Sequence, residues 1–305
     1  MLTQHPFINP NLCVHSKISN SSCRNCIDIC PSNAWVISNE SLAFDEKQCK
    51  YCNSCVGSCN EGAIYSDFEF KTLKIDKDKI VFLAINEEEN PYYLKDLNIL
   101  SIKNILKLSN LGVNEIILNG FENIESVKTN LSKISLVKSI KILENISLEE
   151  TNTILNRYKQ NFNRRELLKK TFTKIVKSKI DKNSDFALKN FQKEIKESIY
   201  RVNLDENSCT YCQVCTRLCP HNAISFETIN NKKYFLSDSL NCTNCKLCSD
   251  ICLSDSIKIT LNNKEDKVDF KVELTDNICK SCYFDFVSND KKEICPNCEK
   301  KRISN

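Results

Sequence analysis

Apolar residues fall along this chain in short blocks, and the spacing inside each block predicts what it folds into. Lys79 to Ile85 carries an unbroken run of mostly branched apolar residues, which predicts a short buried strand. Helical spacing follows over Leu97 to Leu111, then a strand-like run over Glu115 to Leu118. A second helical pattern covers Phe121 to Ile134, and a third strand covers Ser139 to Leu143. Strands and helices alternating at this length predict a small α/β domain with a parallel sheet over residues 71–147. No cysteine, histidine or glycine loop decorates its strand ends, so it is expected to hold no cofactor of its own.

Over residues 148–202 the pattern turns helical. Leu155, Phe162, Leu168, Phe172, Ile175, Val176 and Ile180 form an apolar stripe at roughly helical spacing. Between Arg157 and Lys182 lie ten Lys or Arg against two acidic residues, Glu166 and Asp181. One reading is a positive docking face that steers an acidic redox partner. The other is a solvated helix with one face packed on the domain.

Composition narrows the classes. A chain of 305 residues with 41% hydrophobic residues can bury several small cores, but no uncharged apolar run is long enough to cross a bilayer. The opening stretch MLTQHPFINPNLCVHS has no basic region followed by an apolar one, so a cytoplasmic location is expected. A net charge of +4 is too modest to imply a nucleic-acid partner. The only glycines are Gly57, Gly62, Gly112 and Gly120, which rules out a Gly-rich phosphate-cradling loop.

Cysteine changes the picture most. There are twenty, and in a reducing compartment that number argues for metal ligation over cross-linking. Cys209, Cys212, Cys215 and Cys219 have the spacing C-x2-C-x2-C-x3-C and are closed by Pro220; Cys242, Cys245, Cys248 and Cys252 repeat it after 22 residues. Soft thiolates suit iron, and four of them complete the outer coordination of a cubane cluster. Cys49, Cys52, Cys55 and Cys59 form a third regular run. The fourth is altered: Cys23, Cys26 and Cys30-Pro31 supply positions two to four, and Asn20 stands where the first cysteine belongs. Cys13, with nine residues between it and Cys23, is the available substitute, since lengthening a loop costs little closure entropy. The alternative is a three-iron cluster or a ligand such as His15. Each fourth cysteine leads into a matching tail (CPSNAW, CNEGAI, CPHNAI, CLSDSI), and Trp35, Ile64, Ile224 and Ile257 are expected to open strands over the metal.

On these motifs, residues 12–70 and 203–262 resemble bacterial two-cluster ferredoxins, built from βαβ units repeated twice. The resemblance implies single-electron transfer at low potential. It also implies that the fourth cysteine of each run reaches across to the other cluster. Cys13, Cys23, Cys26 and Cys59 would then hold one 4Fe-4S cluster, and Cys49, Cys52, Cys55 and Cys30 a second. Cys209, Cys212, Cys215 and Cys252 would hold a third, and Cys242, Cys245, Cys248 and Cys219 a fourth. The N-terminal pattern C-x9-C-x2-C-x3-C-P is similar to that of soluble polyferredoxin-type proteins associated with molybdenum or tungsten formate dehydrogenases and related respiratory enzymes. In pattern, the α/β domain resembles the small subunit accompanying methanogen-type hydrogenases and heterodisulfide reductases; the plainer reading is a spacer or docking platform.

The remaining cysteines, Cys279, Cys282, Cys295 and Cys298, make two C-x2-C knuckles twelve residues apart, the spacing of a zinc ribbon or a single-iron site. The tail is similar to the rubredoxin-like tail of rubrerythrins, including Tyr283 and Phe284. Rubredoxins place glycine after the knuckle cysteines, and Tyr283 and Glu299 stand there instead, which favours one zinc over one rubredoxin-type iron.

The expected fold is therefore α+β and multidomain. It has a two-cluster ferredoxin module at 1–70, the α/β domain at 71–147, a basic helical segment at 148–202, a second two-cluster module at 203–262 and a zinc-ribbon or rubredoxin-like knuckle at 263–305. With three histidines (His5, His15, His221) and no nucleophile–base pairing, the chain reads as an electron carrier or electron-transfer subunit, not a stand-alone catalyst. Its expected partners are a redox enzyme and electron-carrier proteins. The alternative is an accessory, assembly or sensing factor for such an enzyme.

Overall fold

The structure is a computed structural model that describes residues 5–38, 41–66, 70–75, 79–88, 90, 92–134, 140–147, 149–157, 187–262 and 269–303. It is a mixed helix and sheet protein. The chain forms two compact units, one of Met1–Cys13 with Arg24–Ile195 and the other of Val14–Cys23 with Lys196–Asn305. Among the described residues no helix is long and apolar enough to cross a membrane.

The first unit opens with β1 (Phe7–Ile8), α1 (Asn25–Asp28), β2 (Trp35–Ser38), β3 (Ser41–Phe44), α2 (Ser54–Ser58) and β4 (Ile64–Tyr65). β1 pairs antiparallel with β4, and β2 with β3. Trp35, Cys55 and Ile64 form the buried centre, with Ile8, Leu42 and Phe44 packed around them. Strands this short carry little stability of their own.

Next come β5 (Thr72–Lys74), β6 (Ile80–Ile85), α3 (Ile102–Asn110), β7 (Val113–Asn119), α4 (Glu125–Ser132), β8 (Lys141–Glu144) and α5 (Leu188–Ile195). The sheet runs β5-β6-β7-β8. β6, β7 and β8 are parallel, as the pattern predicts. β5 adds an antiparallel edge that the sequence pattern misses, because three residues are too few to show a period. Val81, Phe82, Leu83 and Ala84 are all buried, as befits a parallel strand with both faces covered. The expected helix over Leu97–Leu111 is split. A 3₁₀ turn spans Leu97–Ile99, and Ser101 then caps α3, its hydroxyl accepting from the Asn104 N–H. α3 ends at Gly112, whose φ of +80 is the left-handed exit that glycine allows without steric cost.

α3 docks on α2. Ser101 Oγ donates to the Gly57 carbonyl at 2.7 Å, and Asn104 Nδ2 to that of Ile99 at 2.8 Å. A Cβ on Gly57 would stand 2.7 Å from the Ile99 oxygen, so only glycine permits this approach.

The basic stretch Arg157–Lys182 lies, beyond its first residue, outside the described residues. Its expected helical continuation to 202 is corrected at the far end, where Tyr200–Leu204 forms β9. Pairing with β12 (Ile257↔Leu204 through Leu261↔Tyr200) overrides the local helical spacing.

The second unit continues from β9 through α6 (Val214–Leu218), β10 (Ile224–Ile229), β11 (Lys232–Ser237), α7 (Leu247–Asp250) and β12 (Ile257–Leu261) to β13 (Lys271–Ile278), β14 (Asp285–Ser288) and α8 (Pro296–Ile303). The β9-to-β12 stretch repeats the element order of β1 to β4, with the outer strands paired and the inner two in a hairpin. Trp35, Ile64, Ile224 and Ile257 each open a strand. The C-terminal cysteines are not a free-standing piece. β13 pairs with β11, giving a sheet in the order β10-β11-β13-β14, and Val272 and Leu274 join the core around Phe235 and Ile224.

Candidate metal centres

The first cysteine of a run is set by the turn before it. Cys13, Cys49 and Cys242 each close a 3₁₀ turn, with φ/ψ of −73/134°, −67/128° and −77/124°. In each turn the side chain four residues earlier (Asn9, Asp45 or Asp238) accepts the N–H two residues on. Asp205 does the same for Asn207 ahead of Cys209. Short polar side chains favour this self-capping. An Asn or Asp four residues before a cysteine is thus a sequence signal the spacing rules overlook, and it gives Cys13 the local geometry of a first-position cysteine.

Further along each run the backbone turns left-handed. Tyr51 and Asn53, Tyr211 and Gln213, and Asn244 and Lys246 occupy equivalent places and all have positive φ. At the matching place after Cys23, Arg24 has φ −130, so the run with the nine-residue insertion departs there. Three residues beyond every fourth cysteine the left-handed turn recurs, at Asn33, Gly62, Asn222 and Asp255. Only one of these residues is glycine. Non-glycine residues are strained in this region, so the surrounding structure must enforce it. Alternation of right- and left-handed residues points successive N–H groups into a concavity suited to an anion, iron–sulfur sites included.

The amides aim at sulfur. Tyr51 and Tyr211 N–H donate to Cys49 and Cys209 Sγ at 3.4 Å each. Ala34, Ala223 and Ser256 N–H donate to Cys30, Cys219 and Cys252 Sγ at 3.3, 3.2 and 3.3 Å. Burial alone would raise the Cys252 pKa. The Ser256 and Ser254 hydroxyls and amides outweigh it and hold the thiol down at about 7. Cys30 is likewise lowered against burial by the Ser32 hydroxyl and by the amides of Ser32, Ala34 and Trp35.

Thiols from different runs converge. One small cavity is lined by Cys209, Cys212, Cys215 and Cys252 together with Phe235 and Ile257. Burial, then repulsion from Cys209, Cys212 and Cys252, pushes Cys215 up to about 12. In the first unit, burial and then repulsion from Cys52, Cys30 and Cys49 push Cys55 up to about 12, even against a Trp35 hydrogen bond. Cys248 is raised by burial and then by Cys242, Cys219 and Cys215. Cys245 is buried with Val14 and Leu247, against Ile18 and Cys23. Cys13, Cys26 and Cys59 fall in the first unit, while Cys23 ends the 14–23 stretch that belongs to the second. His15 faces two backbone carbonyls, Ser19 at 3.3 Å and Cys23 at 2.8 Å, and is thereby engaged as a structural side chain. None of the twenty cysteines is in a disulfide. The donor set and the amide-lined turns fit iron–sulfur clusters.

Cys279, Cys282, Cys295 and Cys298 are closer together. Their four sulfurs lie within 4.8 Å of one another, and among the described residues no other His, Cys, Asp or Glu group of three or more closes so far. Cys282 and Cys295 Sγ are 3.8 Å apart. A metal–sulfur bond of about 2.3 Å in a regular tetrahedron requires a sulfur–sulfur edge of about 3.8 Å, so the site is sized for one ion. Cys279 directly follows β13, and Cys295 directly precedes α8. The Cys295 N–H donates to Cys279 Sγ at 3.3 Å and, helped by the Cys282 and Ser281 amides, lowers that thiol's pKa. Tyr283 adopts φ +62, the conformation for which glycine is ordinarily chosen, so the lack of glycine does not prevent the turn.

In comparison with known families, residues 202–225 match a family described as a 4Fe-4S binding domain. The matched stretch holds Cys209, Cys212, Cys215 and Cys219. Among curated proteins none matches the chain. With the C-terminal tetrathiolate group, the match supports an iron–sulfur protein with at least one 4Fe-4S cluster and a further site for zinc or iron.

Proposed function

We propose that the chain is a polyferredoxin-like electron-transfer protein holding four 4Fe-4S clusters and one tetrahedral zinc. Its ligand sets are Cys13, Cys23, Cys26 and Cys59; Cys49, Cys52, Cys55 and Cys30; Cys209, Cys212, Cys215 and Cys252; and Cys242, Cys245, Cys248 and Cys219. The first set rests on spacing and on the turn at Cys13. The observation that carries the reading is repetition: the left-handed turn after the fourth cysteine occurs in all four runs, including the one within the family match at 202–225. The clusters supply one-electron transfer, while the chain fixes iron through thiolates and tunes it through N–H and O–H bonds to sulfur. The tetrathiolate site at Cys279, Cys282, Cys295 and Cys298 ties β13 to α8 as a structural site.

The proposed setting is the cytoplasm, with electrons passing between a redox enzyme such as a formate dehydrogenase and a carrier protein. Metal and sulfide analysis of anaerobically purified protein tests the cofactor part. About sixteen irons, matched by sulfide and with one zinc, are expected from four cubane clusters. Only zinc in a folded, colourless protein refutes it. Reduction by formate and its dehydrogenase, followed by reoxidation with a second carrier, tests the role. Stable binding to an immature enzyme without electron transfer would favour the assembly-factor reading.

A further inference from the structure

Lys103 is the one lysine buried among the described residues, 2% exposed. Burying an ammonium is costly unless its donors are satisfied. Here Nζ donates to the carbonyls of Val56 at 2.7 Å and Cys59 at 2.6 Å. Those carbonyls lie at the end of α2, the helix that carries Cys55 and stops at Cys59. Lys103 belongs to the α/β domain, which reaches the same run through the Ser101 bond to Gly57.

The lysine is held in place. Ser101 on the preceding turn bonds Gly57, Asn104 bonds Ile99, and Gly57 leaves no room for a Cβ. Burial lowers the Lys103 pKa to about 8, with Cys59 opposing, Lys107 assisting, and Cys55 and Glu61 opposing more weakly. Its two short bonds run to carbonyl oxygens, which only accept, as suits an ammonium that only donates. Glu61, 7% exposed, is the nearby carboxylate that offsets part of this charge.

The equivalent helix of the second unit has the opposite partner. α7 ends in Asp250, whose carboxylate accepts from Ser21 Oγ, Ser22 N and Ser22 Oγ at 3.2, 2.8 and 2.7 Å. A cluster that has gained one electron carries one more negative charge, and a fixed cation in a low-dielectric surrounding favours that form.

We infer that Lys103 is a potential-setting residue for the iron–sulfur site at α2, raising it above its counterpart at α7 and making the N-terminal segment the electron sink of the chain. The inference rests on the cluster reading above and adds a direction to it.

Redox titration of the full anaerobic chain with dithionite, followed by electron paramagnetic resonance, tests it in Lys103→Gln, Lys103→Arg and Ser101→Ala. In Lys103→Gln one or two midpoints should fall by about tenfold in the reduction equilibrium, 59 mV for a one-electron couple, with iron content kept. Lys103→Arg should hold the original midpoints, and Ser101→Ala, which loosens the same contact without removing charge, should leave them in place. Lys103→Met repeats the test if the amide variant does not accumulate. Unmoved midpoints in Lys103→Gln, an equal shift in Ser101→Ala, or neutral variants that hold no N-terminal iron would each overturn the inference. In the last case the lysine is only a clamp. Absence of iron from the unaltered chain would instead defeat the cluster reading itself.

Discussion

The two eight-cysteine segments are built alike and embedded differently. Both run strand, helix, hairpin, helix, strand with the outer strands paired, and both repeat the left-handed turn after each fourth cysteine. Their second helices part company. α2 is pressed against α3 and receives a buried lysine, whereas α7 ends in an exposed aspartate that holds Ser21 and Ser22. The turns that present the cysteines are thus local, specified within each run, while their electrostatic setting comes from whatever part of the chain packs outside them.

The largest test removes equivalent ligands. Cys55→Ala and Cys248→Ala replace the buried third cysteine of each second run, and each should lose about four irons, one cubane cluster. If either emptied the other segment as well, the segments would not be independent cages, and iron analysis with the remaining paramagnetic signals decides this. Gly57→Ala should come next. Forcing a Cβ to 2.7 Å from the Ile99 oxygen overpacks the α2–α3 contact, a class of change that costs about 1–3 kcal/mol. Thermal unfolding should show a lowered transition for the first unit only.

Asp250→Ala should act more gently, because Asp250 and Ser22 are exposed to water. The Ser22 amide, freed of its 2.8 Å bond, should exchange several-fold faster by hydrogen–deuterium exchange, with the iron of the first unit's runs unaffected. An unchanged rate would mean that the clamp contributes nothing.

The smallest effect concerns pH. Cys252 is held at about 7 and Cys215 at about 12, and both line one cavity. Above pH 7 Cys252 is a thiolate ready for iron; below it the thiol is protonated, while Cys215 is protonated on both sides and must surrender its proton to the metal. Reconstitution with iron and sulfide should therefore slow between pH 8 and 6 with a one-proton dependence. Ser256→Ala, which removes a lowering bond, should move that midpoint upward.

Much of the chemistry was legible in the sequence because metal ligation is encoded over very short distances. The spacings around Cys49, Cys209, Cys242 and Cys279 announce thiolate cages, and the apolar residue after each tail foretells the strands opened by Trp35, Ile64, Ile224 and Ile257. The parallel order of β6, β7 and β8 follows from alternating runs long enough to show a period. The Asn or Asp turn before each first cysteine was equally local and was there to be read.

Other features depended on contacts between residues distant in sequence. Nothing near Lys103 distinguishes it from its neighbour Lys107, yet one is buried against Cys59 and the other is only partly covered. Nothing in the 14–22 insertion foretells that its serines bond Asp250, more than two hundred residues away. The joining of β13 to β11, which makes the C-terminal knuckle an extension of the cysteine segment before it, is equally invisible in a linear pattern. The sequence by itself determined the cysteine-bearing turns, since cysteine spacing and turn residues act within about ten positions. Only the tertiary structure decided which charge sits beside each cage, because burial and long-range packing select one lysine or one aspartate from many equivalent along the chain.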